Sequence, residues 1–162
     1  MVQQLSPKTI IVYGSAPERI FKPYRDMGLD QGFEARYRRK IMTSKELNLK
    51  LIKAFPEIKG VYYEETSWQD GDETGSHVVY ADVFVPFIKA QISAGKEPGL
   101  VDVFCYIEGL LELNDKYVNE VIALSVVESL IFDEDVDNVL LARFAKPNTL
   151  KLMKEIVQDF EK

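Results

Sequence analysis

GLVDVFCYIEGLLELNDKYVNEVIALSVVESLIF, residues 99–132, decides the fold of this chain. Apolar side chains recur in it every three or four positions, which is the spacing of a buried face on an α-helix. The two stripes consist of Leu100, Val103, Phe104, Ile107, Leu110 and Leu111, followed by Val118, Val121, Ile122, Val126 and Leu130. Asn114 or Asp115, between the stripes, is suited to cap a helix. The stretch therefore predicts two antiparallel helices joined by a short turn.

Helix signals continue on both sides of this hairpin. TSKE at residues 43–46 fits a capping box, and ELNLKLIKAF follows it with Leu47, Leu51 and Phe55 on one face and Leu49 and Ile52 alongside. Asp135 or Asp137 suits the start of a short VLLARF helix, and Pro147 suits the start of the last one. In that last helix we expect one inward side, made of Leu150, Met153, Ile156, Val157 and Phe160.

Residues 60–85 leave helix and strand open. Residues 61–63 suit a short extended segment, and a polar turn follows Trp68. HVVYADVFVPFIKAQISAGK, residues 77–96, fits either two strands or one helix, and we favour the helix because its apolar period continues for more than three turns. We expect Pro86 to kink that helix or to start its second half.

The front of the chain differs from the rest. PKTIIVYGSAPERIFKPYRDMG, residues 7–28, predicts a strand, a glycine turn and a helix. The turn has a single glycine and lacks the lysine of a phosphate-binding loop, so we do not interpret it as a phosphate site. Residues 1–28 resemble the closing strand and helix of a longer bacterial and phage-associated family of unknown function, which implies no activity.

We predict two parts: residues 1–41, a strand-helix appendage with a basic linker, and residues 42–162, a helical domain. The fold class is mainly α, as an antiparallel bundle or a stack of helical hairpins with five or six helices. The N-terminus lacks a signal-peptide pattern and no stretch suits a membrane span, so we expect a cytoplasmic protein. The edge of the predicted front strand offers a route to a homo-oligomer.

Charge is unevenly distributed along the chain. Residues 97–162 hold six Lys and Arg against fourteen Asp and Glu, a net charge of −8, whereas residues 1–96 have a net charge of +2. An acidic surface repels phosphate backbones and attracts cationic partners, so we expect a basic protein partner rather than nucleic acid. The predicted partner-binding residues are Glu112, Asp115, Asp133, Glu134, Asp135 and Asp137.

These carboxylates do not fit a calcium loop. A twelve-residue loop starting at Asp133 ends at Phe144, and one starting at Asp70 ends at Ala81, where a bidentate glutamate is required. We therefore predict no metal site and no cofactor.

Catalytic signals are also weak. The chain has one histidine, His77, which we expect to be partly exposed or to cap a helix, and one cysteine, Cys105, which we expect to be a buried reduced thiol. Glu108 and Glu112 lie one helical turn apart, and we interpret them as part of a solvated acidic face rather than as an acid and base pair. The prediction is a protein that is not an enzyme.

Four segments carry a further resemblance: PEI at 56–58, YADVFVPFI at 80–88, FCYIEGLLELNDKYVNEV at 104–121 and ARFAKPNTLKLMKEI at 142–156. With these, residues 42–162 resemble a family of small helical bacterial proteins that lie beside polymorphic toxin genes and are thought to be immunity proteins. The resemblance implies a helical fold and a protein partner, and it assigns no site residues.

Three functions follow as hypotheses. The first is a binding module, of the immunity or antitoxin type, that neutralises a basic toxin through an acidic surface. The alternative is an enzyme or small-ligand receptor with a pocket near Trp68, Tyr62, Tyr63 and His77. The second alternative is a scaffold without a separate ligand.

Overall fold

The computed structural model of the chain describes residues 41–162. This part is mainly α: 80% of it is helical, and it contains seven helices and no strand. The helices are α1 (Ser44–Ala54), α2 (Lys59–Ser67), α3 (Ser76–Val79, Tyr80–Phe84 and Val85–Ser93 in one rod), α4 (Glu97–Glu112), α5 (Lys116–Glu120, Val121–Val127 and Glu128–Ile131 in one rod), α6 (Asn138–Phe144) and α7 (Pro147–Phe160). The predicted strand, helix and basic linker of residues 1–40 lie outside the described residues, and the division into two parts stays a prediction.

The predicted helix starts are confirmed. The backbone N–H of Glu46 donates to Thr43 Oγ1 at 3.2 Å, and the Thr43 N–H donates to Glu46 Oε2 at 2.9 Å, which completes the capping box of α1. Asp115 caps α5 and Asp137 caps α6 through their side chains. Pro147 is the first residue of α7. Each of these signals acts within a few residues, so the sequence alone determines them.

The extended segment expected at residues 61–63 is wrong, because these residues lie in α2. Tyr62 and Thr66 are both buried one turn apart, and Thr66 Oγ1 donates to the Tyr62 carbonyl at 2.8 Å. Burial of this face outweighs the strand preference of the neighbouring valine and tyrosines. This helix brings the number in the described part to seven, against the expected five or six.

The helix favoured for residues 77–96 is confirmed as α3, whose middle is a π-helical stretch, Tyr80–Phe84. Pro86 is the second residue of the α-helical segment that follows, Val85–Ser93, and so lies at the start of the second half of the rod, as expected. Proline has no backbone N–H to donate to a carbonyl of the preceding turn. A wider π-helical turn before the proline leaves fewer backbone carbonyls without a donor. The middle of α5, Val121–Val127, is π-helical as well and contacts that of α3.

The core lies around α3, which contacts α1, α2, α4 and α5. At its centre the Phe84 ring lies 5.4 Å from that of Phe55 and 5.7 Å from that of Tyr106, and the Phe55 and Phe87 rings are 5.3 Å apart. Phe84 is fully buried, so this aromatic cluster anchors three helices. Tyr80, also fully buried, donates its hydroxyl to the Leu47 carbonyl at 3.1 Å.

The last helix, α7, is only half covered. It contacts α4 and α5, and its side chains Leu152, Met153 and Ile156 are partly buried against the core. The expected inward side is wrong at its far end, because Val157 and Phe160 are exposed. The apolar stripe of α7 therefore continues onto the surface after Ile156.

The structure also bears on membrane insertion. Within residues 41–162, every helix is too short or too polar to cross a bilayer.

Candidate functional site

The six predicted acidic residues fall into two groups at opposite ends of α5. Glu112 and Asp115 flank the turn before α5, whereas Asp133, Glu134, Asp135 and Asp137 lie in the loop that follows it. Asp133 lies eighteen positions after Asp115, which is about 27 Å along a helix that rises 1.5 Å per residue. One compact partner contact therefore uses one group or the other.

Asp115, in the first group, is occupied within the fold. Its Oδ1 accepts the Val118 N–H at 3.1 Å and its Oδ2 accepts the Met42 N–H at 2.8 Å. It holds the start of α5 and ties it to the residue before α1. Glu112, at the end of α4, is exposed.

Asp133 is also engaged. Its Oδ2 accepts a hydrogen bond from Lys89 Nζ on α3 at 2.6 Å, and its Oδ1 accepts the Asp135 N–H at 2.9 Å. The hydrogen bond to Lys89 lowers the pKa of the Asp133 carboxyl, and the same bond raises the pKa of the lysine. Asp133 thus fastens the loop to α3.

The other three carboxylates face solvent. We call Glu134, Asp135 and Asp137 the acidic loop; all three are exposed. Asp137 Oδ1 accepts the Val139 N–H at 2.8 Å, which leaves the rest of its carboxylate available. The Lys89 contact and the α6 cap fix the two ends of this loop, so the backbone that carries its charges is held in place before any partner arrives.

An exposed aromatic pair lies beside the acidic loop. The rings of Phe132, at the end of α5, and Phe160, at the end of α7, are 4.3 Å apart. Phe132 is 47% exposed and Phe160 is 64% exposed. Two large rings in water next to charged groups are typical of a protein contact surface rather than of a core.

The apolar surface continues into a groove between α6 and α7, which we call the α6–α7 groove. Its volume is about 330 Å³, and it is lined by the apolar residues Ile131, Ala142, Leu150, Met153 and Val157 together with the polar residues Asn138, Lys154 and Gln158. Val157 lies one turn before Phe160, so the groove and the aromatic pair form one surface. The groove was not predicted from the sequence, where the long apolar stripe of α7 was the signal for it.

Glu108 contradicts the expected solvated face, since it is only 7% exposed. Its Oε1 accepts hydrogen bonds from Asn148 N and Nδ2, both at 2.9 Å, and its Oε2 accepts from Thr149 N at 3.0 Å and Thr149 Oγ1 at 2.9 Å. Burial raises the pKa of the carboxyl, but these four bonds outweigh it and the pKa is lowered. Glu108 and Glu112 therefore do not form an acid and base pair.

His77 is partly exposed, as expected, and does not cap a helix. Its Nδ1 lies 2.8 Å from Ser125 Oγ on α5. A serine and histidine in contact suit nucleophilic catalysis only with access to substrate and an orienting acid. Ser125 is buried, and no hydrogen bond between a carboxylate and His77 occurs within residues 41–162. The contact ties α3 to α5.

The residues of the predicted aromatic pocket are divided between core and surface. Tyr62 is fully buried and its hydroxyl donates to Asp72 Oδ1 at 2.8 Å, whereas Trp68 is 72% exposed. Tyr63 is half exposed.

Cys105 contradicts the expected buried thiol, because it is exposed on the outer side of α4. A cleft of about 440 Å³ brings it together with Lys50 and Lys53 from α1. The sequence could not place these lysines beside the thiol because they lie more than fifty residues away. Within the part that the structure describes, no three His, Cys, Asp or Glu side chains are grouped to hold a metal ion.

A cleft of about 630 Å³ lies between α5 and α7. Its walls carry two lysine and glutamate pairs, Lys116 with Glu120 at 3.9 Å and Lys151 with Glu155 at 3.8 Å. Opposite charges balance each other there, so this cleft does not select a ligand by sign.

Comparisons with known proteins give a family but no function. Residues 48–161 match the model of a family described as Domain of unknown function (DUF7674), and the chain belongs to that family. No curated protein and no solved structure matches the chain.

Proposed function

We propose that this member of the DUF7674 family is a non-enzymatic binding module that recognises a basic protein through the acidic loop and the adjoining aromatic pair. One observation supports the proposal above the others: the exposed rings of Phe132 and Phe160 contact each other directly beside three exposed carboxylates. Interfaces combine a desolvated apolar centre with a polar rim, and this surface has both parts.

The two parts have different roles in binding. The carboxylates attract a cationic partner from a distance and raise the association rate, helped by the net charge of −8 on residues 97–162. The aromatic rings lose their contact with water in the complex and slow dissociation. Affinity therefore depends mainly on the rings, and selectivity depends mainly on the charges.

Within the predicted set of six, the acidic loop is favoured as the contact. Asp115 and Asp133 already accept hydrogen bonds on both of their oxygens. Redirecting them to a partner would cost the helix cap of α5 or the contact to Lys89. Glu112 lies at the opposite end of α5 from the aromatic pair.

The partner class follows from the sequence resemblance to immunity proteins. We propose a toxin encoded beside this chain, whose basic active-site surface, such as that of a nuclease, would be covered by the acidic loop. Blocking a cationic substrate channel needs no catalysis by the blocking protein.

The experiment is co-expression with the toxin encoded by the neighbouring gene, followed by affinity measurement. The double variant Glu134→Lys with Asp135→Lys reverses two charges of the acidic loop. It is expected to weaken binding of the toxin about tenfold or more at low salt and to abolish protection of the cells. Glu64→Lys with Glu65→Lys on α2 changes the net charge equally and is the matched control, expected to stay within about twofold. Equal loss in both variants, or no complex with any basic neighbour, would reject the proposal.

A further inference from the structure

The α6–α7 groove has the length and period of a helix. On its α7 wall, Leu150, Met153 and Val157 lie at spacings of three and four residues. They span seven residues, or about 10 Å at 1.5 Å per residue, which is two helical turns. A second helix laid along α7 presents apolar side chains at the same intervals.

The opposite wall leaves room for inserted side chains. It carries Ala142 on α6, a small and exposed residue at the point where a larger one would fill the space. Val139, one turn earlier on α6 and nearer the acidic loop in the chain, is 78% exposed and offers further apolar surface beside the groove. A cavity of roughly 150 Å³ accepts one benzene ring, so about 330 Å³ has room for two large apolar side chains.

Resting on the proposed function, we infer that the partner docks an amphipathic helix in the α6–α7 groove, with apolar side chains between Ala142 and Met153 and Lys or Arg side chains toward the acidic loop. Charge complementarity specifies the basic flank, because the acidic loop precedes α6 and adjoins the end of the groove marked by Asn138. Among the described residues, the one charged side chain that lines the groove is Lys154 on α7, so the partner's Lys or Arg side chains belong at the acidic loop and not inside the groove. The aromatic pair extends the contact beyond the groove.

The wall structure disfavours an extended peptide. A strand docks by pairing with a sheet edge, and residues 41–162 contain no strand. The groove walls are helices whose backbone N–H and C=O groups are hydrogen-bonded within the helix, so a ligand can contact only their side chains. Such contacts favour a helix that carries its own backbone hydrogen bonds.

A second copy of this chain is also a poor occupant. A symmetric contact through this surface would bring the acidic loops of both copies together. Like charges in contact oppose association, so a basic helix from another protein fits better.

The test uses the full chain and a synthetic probe. The probe is a helical peptide of about 18 residues, five turns, made of Leu on one face and Lys elsewhere, and its control is a peptide of the same composition in scrambled order. Binding is followed by fluorescence anisotropy. The groove is blocked by Ala142→Trp, and the matched control is Ala54→Trp, an exposed alanine at the end of α1 outside the groove.

We expect the helical peptide to bind and the scrambled one to bind at least tenfold more weakly. Ala142→Trp should weaken binding of the helical peptide at least tenfold, with the thermal midpoint unchanged, and Ala54→Trp should leave it within twofold. Equal binding of the two peptides, unchanged binding by Ala142→Trp, or no binding of the helical peptide by the unaltered protein would overturn the inference.

The natural complex separates this inference from the proposed function. If Glu134→Lys with Asp135→Lys breaks the toxin complex while Ala142→Trp leaves it intact, the partner contacts the acidic loop, and the inference that its helix docks in the groove is wrong. If neither change affects the complex, both the proposed function and the inference of a helix in the groove are wrong.

Discussion

Thr149, the third residue of α7, donates its backbone N–H and its hydroxyl to the same carboxylate oxygen of Glu108 on α4, at 3.0 and 2.9 Å. The α7 cap position, Lys146, supplies no side-chain hydrogen bond of its own. The buried carboxylate therefore does for α7 what a capping side chain does within a helix, and its charge also faces the positive end of the helix dipole.

Glu108→Gln is expected to lower the free energy of unfolding by about 2 kcal/mol, because an amide cannot accept all four hydrogen bonds and turns its own N–H groups toward a donor. Urea denaturation measures this. Glu112→Gln, one turn later and exposed, is the control and should change stability by less than about 0.5 kcal/mol. Equal effects from the two changes would contradict the capping role.

Stability should also fall in acid because of Glu108. Its pKa in the folded protein is lower than the ordinary value of 4.5, so the folded state releases this proton more readily than the unfolded chain does. The contribution is complete above pH 4.5 and is lost as the pH falls through the lower folded value. Chemical denaturation between about pH 6 and pH 3 should show a shallower decline for Glu108→Gln than for the unaltered protein. The same slope in both would show that Glu108 does not titrate with folding.

Phe84 and Phe160 give a matched pair for core and surface. Phe84→Ala empties the centre of the aromatic cluster and should cost about 3–5 kcal/mol. Phe160→Ala removes a side chain that is 64% exposed and should cost at most about 1 kcal/mol, mainly the contact with Phe132. Thermal unfolding gives both values. A cost for Phe160→Ala as large as that for Phe84→Ala would mean that the aromatic pair supports the fold rather than a partner.

Asp115→Ala should destabilise the fold by about 2 kcal/mol, since it removes the cap of α5 and the acceptor for the Met42 N–H together. Lys116→Ala, at the neighbouring exposed position, is expected to change stability by less than about 0.5 kcal/mol. Guanidinium denaturation compares the two. If Asp115→Ala proves as mild as Lys116→Ala, the carboxylate is free to serve as a partner contact.

Trp68 reports on the alternative function. It is the one tryptophan of the chain and is 72% exposed, so its native emission should resemble that of the unfolded protein and should be quenched readily by acrylamide. A small ligand bound near Trp68 and Tyr63 would shift the emission to the blue and protect it. Emission that is already blue-shifted in the free protein would contradict the exposed position.

Local signals in the sequence predicted the helix starts, and distant contacts account for the errors. Thr43 and Glu46, or Asp137 and Val139, interact over two or three residues, so the pattern itself contains the answer. Glu108 accepts a hydrogen bond from Thr149, which lies 41 positions later in the chain, and the sequence around either residue contains no signal that predicts this contact.

The candidate surface was predicted in part. The acidic loop is visible in the sequence as a run of carboxylates, although the roles of Asp115 and Asp133 as internal acceptors are not. Val157 and Phe160 have the spacing of core residues, and only the packing of α7 against α4 and α5 shows that nothing within the described residues covers them. Periodicity specifies which side chains share a face, and the neighbouring helices decide whether that face is buried.

The two π-helical stretches have a consequence for comparing relatives. In a π-helical turn the backbone hydrogen bond joins residues five positions apart, so the turn contains one more residue than an α-helical turn. The helix face after Phe84, or after Val127, is therefore rotated by about 100° from that of an unbroken α-helix. A relative that lacks one residue within Val121–Val127 can keep the same buried face by closing that stretch as ordinary α-helix. Single-residue gaps in alignments of this family are therefore expected at these two places first.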